Sequence, residues 1–77
     1  SIKTLIRQGQ GVSSIPLADE GMKDFQKIAR KYGVDFAIVK DKNQNPPIYT
    51  VFFKAKDTDA ITRIFRIIQQ NRSRKLL

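Results

Sequence analysis

Seventy-seven residues make one small domain, near the lower size at which a single core folds without a disulfide or metal. The chain has no cysteine and no histidine, so nothing staples the fold, and the side chains that titrate or attack most readily near neutral pH are missing; an enzyme is not expected. Hydrophobic residues at 40% argue for a packed core, while fifteen Lys and Arg against seven Asp and Glu leave a net charge of +8 that favours nucleic acid, an acidic protein surface or anionic lipid.

Ile2, Leu5 and Ile6 fall at i, i+3 and i+4, which predicts a short amphipathic helix over residues 2–8 that must pack on something to persist. Gly9 and Gly11 end it and form a connector too short in pattern for a phosphate loop. Val12 to Leu17 reads as a short edge strand, because Pro16 lacks the donor that a central strand needs. Asp19 is the expected N-cap of the next helix, with Glu20 and Asp24 early in it where the helix dipole favours acids. Met22, Phe25, Ile28, Ala29 and Tyr32 then mark one apolar face, and Gly33 is placed to end the helix as its C′ residue. The opposite side carries Lys23, Lys27, Arg30 and Lys31. Lys23, Lys27 and Lys31 are one turn apart and form a basic ridge, either a solvated face or an anion-contacting one.

Residues 33–57 hold two runs rich in Val, Ile, Phe and Tyr around a polar Asn/Pro segment, which predicts a β-hairpin. Phe36, Ile38, Tyr49, Val51 and Phe53 are assigned to the face covered by helices. The other face presents Ala37, Val39, Thr50, Phe52 and Lys54. It is too apolar for ordinary surface, so Val39, Thr50, Phe52 and Lys54 are the candidate protein interface. In the loop, Asp41, Asn43 and Asn45 have the odd-position spacing of a calcium site, but the required Gly is Pro46 and the required Glu is Phe52, so no metal is expected. No cofactor fingerprint is present either. Asp57 or Thr58 is the expected cap of the last helix, whose stripe runs through Ile61, Ile64, Phe65 and Ile68. Arg63, Arg66, Arg72, Arg74 and Lys75 follow with no acid among them, more cations than a helix C-terminus requires.

The expected fold is a single α+β domain over residues 1–77. A short N-terminal helix precedes the order β-α-β-β-α, forming a small antiparallel sheet with the two longer helices on one face. No run approaches the ~20 apolar residues of a membrane span, and no signal-peptide pattern opens the chain; a cytoplasmic domain is expected, cut from a longer chain because it begins at Ser1 without Met. Phe52 beside Lys54 has a trace of the aromatic platform of single-strand binders. The strand Tyr49 to Ala55 lacks the glycine of an RRM signature.

The string Lys27-Ile-Ala-Arg-Lys-Tyr-Gly-Val-Asp-Phe-Ala37, followed by Pro46-Pro-Ile-Tyr-Thr-Val-Phe-Phe-Lys-Ala-Lys-Asp57 and then Asp59-Ala-Ile, resembles the PcfB-like family of conjugative-transfer proteins of Gram-positive plasmids and integrative elements. Gln8-Gly-Gln-Gly leading into Val12-Ser-Ser-Ile resembles the family's N-terminal part, so the likeness spans nearly the whole chain. It implies a non-catalytic accessory or adaptor role in DNA transfer, docking components of the relaxase complex or the coupling protein near DNA, with no catalytic motif to carry over. The last helix is more basic than the family pattern leads one to expect. On that reading the Val39/Thr50/Phe52/Lys54 face is a protein or homodimer contact. The alternative is a nucleic-acid-binding domain that uses Lys23, Lys27, Arg30, Lys31, Arg63 and Arg66.

Overall fold

Alternation along residues 48–54 decides the architecture. In the computed structural model, which describes residues 1–76 and their side chains as far as residue 72, this run is a strand with Val51 and Phe53 fully or almost fully buried. The order of elements is α1 (Ile2–Arg7), β1 (Val12–Ala18), a 3-10 turn (Asp19–Gly21), α2 (Met22–Lys31), β2 (Phe36–Asp41), β3 (Ile48–Lys54), a second 3-10 turn (Ala55–Asp57) and α3 (Thr58–Leu76). The sheet is antiparallel throughout, in the order β1-β3-β2. Residues opposite one another in a ladder point to the same face. Val51 therefore shares its face with Ile15 and Ile38, Phe53 with Ser13 and Phe36, and Tyr49 with Leu17 and Lys40.

Both long helices lie on that face. Leu17, Val51 and Phe53 from the sheet, Met22, Phe25 and Ala29 from α2, and Ile61, Ile64 and Ile68 from α3 form one buried cluster. Phe25 is its centre: its ring meets Phe36 of β2 and Phe65 of α3 edge-on, with centroids 5.3 and 5.6 Å away. The expected α+β architecture, hairpin and helix-covered face are all present. The helices run antiparallel, since Gly21 at the start of α2 lies beside Ile68, and Tyr32 at its end lies beside Ala60. A Cβ at Gly21 would stand 3.2 Å from Leu17 Cδ1, so this glycine allows the 3-10 turn to close against β1 rather than merely weakening a helix start.

The helix boundaries depart from expectation in two places. Asp19 does not cap α2; it sits in the 3-10 turn, and its Oδ1 accepts a hydrogen bond from Tyr49 Oη at 3.0 Å. Thr58 does not cap α3 with its hydroxyl either, because Oγ1 donates backward to the Ala55 carbonyl at 2.7 Å. In both cases a 3-10 turn hands the strand over to the helix, satisfying backbone groups that a cap would otherwise serve. The end of α2 is as expected. Gly33 has φ 69°, its N–H donates to Arg30 O, and Val34 N–H donates to Ala29 O, which is the Schellman arrangement. Tyr32 is the C-cap residue and is 51% exposed. It leaves the core stripe because the helix stops there.

α1 is capped by the Ser1 hydroxyl, which accepts from Thr4 N–H. Leu5 is buried yet takes no part in the helix-side cluster, and α1 packs on β2 and β3. These facts put α1 on the second face of the sheet. Gly9 and Gly11, at φ 67° and 73°, supply the reversal from α1 into β1, and the Gly11 carbonyl accepts from Ala55 N–H at 3.1 Å. The second face thus has a structural partner at one end, which the sequence did not assign to it. Ile6, expected to join the apolar stripe, is exposed, since six residues offer only one buried turn.

Candidate interaction surfaces

The four interface candidates on the second face divide between its two ends. Lys54 belongs to the covered end: its Nζ lies 3.0 Å from Asp35 Oδ2, its side chain is 14% exposed, and Asp35 lines a small depression together with Leu5 of α1. Phe52, flanked by Ser14 and Ala37 across the ladders, is half-buried. Thr50, flanked by Pro16 and Val39, is half-buried as well. Val39 is 50% exposed, and Ile48, two residues before Thr50 on the same face, is 42% exposed. The open part of the face is therefore Val39, Thr50 and Ile48, at the end near the hairpin loop. Ile48 shares this face by its parity with Thr50 and Phe52, but was not among the four interface candidates.

On the helix side of that same end, Tyr49 is half-buried. The Asp19 carboxylate that accepts its hydrogen bond pushes the Tyr49 phenol above its usual range, with partial desolvation and the carboxylate's charge adding to the effect. In the hairpin loop, Asp41 Oδ1 accepts from Asn43 N–H at 2.9 Å, a local Asx turn. Among the described residues, no three carboxylates come together to hold a metal ion.

The six candidate cations do not form one site. Lys23, Lys27 and Arg30, together with Gln26, line a shallow depression of about 400 Å³ on α2. Arg63 belongs to a different depression of about 370 Å³, shared with Tyr32, Asp59 and Ala60. Lys31 and Arg66 are exposed and line neither. Among the described residues the sole ion pair is Lys54–Asp35, so none of these six has a carboxylate within salt-bridge distance. Arg74 and Lys75, also noted in the sequence, lie outside the described side chains. Among the described residues, no helix is long and apolar enough to cross a membrane.

A family model described as a protein of unknown function, DUF3801, matches residues 1–76. No curated protein and no solved structure matches the chain.

Proposed function

The chain belongs to the DUF3801 family, and from that starting point we propose that it is a non-catalytic adaptor of conjugative DNA transfer, docking components of the relaxase complex or the coupling protein. The link to conjugation comes from the two strings, Lys27–Ala37 and Pro46–Asp57, that resemble PcfB-like proteins. The observation that carries the adaptor role is the uncovered end of the second sheet face. There Val39 and Ile48 stand exposed beside Thr50 while α1 covers the other end. A small apolar area with a polar surround has the anatomy of a protein contact core and rim. The composition adds to this reading, because a chain without His or Cys has little with which to perform acid–base or nucleophilic chemistry.

The test is capture of the element's relaxase or coupling protein, identified by mass spectrometry, from cells that carry the element. Val39→Glu combined with Ile48→Glu removes apolar contact at positions that support no core residue, so the variant should fold as before and lose capture. Full capture by a folded double variant overturns the docking face. A dimer of this chain that the same substitutions dissociate replaces the adaptor reading with self-association through the patch.

A further inference from the structure

We infer that the outward side of α2 is a binding site for the phosphodiester backbone of nucleic acid, formed by Lys23, Gln26, Lys27 and Arg30 and extended by Lys31. The site is separate from the sheet face. It rests on what the depression presents to a ligand.

Every charged group in its lining is a cation, and no carboxylate lies within salt-bridge distance of any of them among the described residues. Arg30 Nη2 donates to Gln26 Oε1 at 3.3 Å. That bond engages the amide oxygen, the one side-chain acceptor among the four lining residues. The depression then offers two ammonium groups, the remaining guanidinium N–H groups and an amide N–H₂. A surface made almost entirely of donors suits a ligand made almost entirely of acceptors, and a phosphate oxygen is one.

The arrangement continues along the helix. Lys23, Lys27 and Lys31 recur every four residues, which sets one cation about every 6 Å along the axis. A row of this kind tracks a linear polyanion better than it encloses a single small anion. An acidic protein is the competing ligand, but the lining holds no aromatic or aliphatic residue, and protein interfaces draw most of their energy from such anchors at their centre. Backbone contact by cations needs none.

The structure also separates this site from the other candidate cations. Arg63 shares its depression with Asp59 and Tyr32, and Arg66 lies outside both depressions. Those two residues serve as the internal control.

The experiment is fluorescence anisotropy with labelled single-stranded and duplex oligonucleotides of mixed sequence, from low to moderate salt, alongside polyglutamate of similar length. Four cation–phosphate contacts give a log–log salt slope of roughly −3 for a single strand and −4 for a duplex. Lys23→Gln with Lys27→Gln should flatten the slope by about 2 and weaken low-salt binding tenfold or more. Arg63→Gln with Arg66→Gln should change affinity less than threefold, and circular dichroism should be the same for all three proteins. Loss of binding by single strand alone, or by duplex alone, identifies which form is held. The assignment is overturned if neither oligonucleotide binds at low salt, if the Arg63/Arg66 pair weakens binding as much as the α2 pair, or if polyglutamate binds as tightly as DNA.

Discussion

The Lys54 ammonium sits 3.0 Å from the Asp35 carboxylate, at the end of the sheet face that α1 covers. The lysine is mostly withdrawn from water while the aspartate is more than half exposed, so the pair acts chiefly to satisfy Lys54. Asp35→Asn should lower stability by about 1 kcal/mol, between the small value of a surface pair and the larger cost of an unpaired buried charge. Lys54→Met with Asp35→Asn should recover part of that loss. Urea denaturation of the parent, the two single variants and the double variant measures the coupling, and additive losses would mean that the pair is not coupled.

Tyr49 and Asp19 make the corresponding tie on the helix side. The phenol ionises at higher pH in the folded chain than in the unfolded one, chiefly because its proton is shared with Asp19. The unfolded chain then loses this proton first, so the stabilisation is complete below the ordinary tyrosine value of 10.0 and is lost as pH rises through the folded value. Comparing the chain with Tyr49→Phe from about pH 8 to 11 should show the stability difference shrinking above the ordinary value. A difference that stays constant across that range contradicts the coupling.

Gly33 tests the end of α2. Its φ of 69° lies where a Cβ is strained, and beyond the neighbouring residues no atom stands within 4 Å of where that Cβ would be. Gly33→Ala should therefore cost about 1 kcal/mol through the backbone alone, and Gly33→Asn less, because asparagine tolerates this region. Thermal melts of the two variants, ranked in the opposite order, would refute the assignment.

Phe25 tests the core. It is fully buried and its ring meets two others edge-on, so Phe25→Ala should cost about 3–5 kcal/mol. A chain of this length is stable by only about 4–12 kcal/mol. That variant should therefore melt far below the parent chain, and Phe25→Leu should show a smaller drop in melting temperature.

The elements that could be read from the sequence are those whose signal is repeated. Tyr49, Val51 and Phe53 alternate, and Ile61, Ile64 and Ile68 recur at helical spacing, so strand, helix and buried face follow from period alone. Single polar residues carry no such redundancy. Asp19 and Thr58 have the chemistry of caps, but the same oxygen atoms serve Tyr49 and Ala55 O once the chain has folded. Tyr32 keeps the spacing of the α2 stripe but falls on its last cap, where the spacing no longer determines burial. The place of α1 depended on which side of the sheet the Gly9–Gly11 reversal would send it, and local pattern holds no information about that. The candidate cations show the same limit. That Lys23, Lys27 and Arg30 share one side of α2 was evident from residue numbers, but that Arg63 sits in a separate depression with Tyr32 is a tertiary fact.

The strand order has a consequence for how the chain is made. β3 lies between β1 and β2 and pairs with both, yet it is the last of the three to leave the ribosome. Until Ile48–Lys54 has emerged, β1 and β2 have no ladder to join and α2 has no floor. Once it has, β2 is joined to it by a short turn while β1 must return from near the start of the chain, so loop-closure entropy favours the hairpin over the β1 ladder. A nascent chain stalled before residue 48 would expose the apolar sides of both outer strands together, a state suited to chaperones rather than to a partial fold.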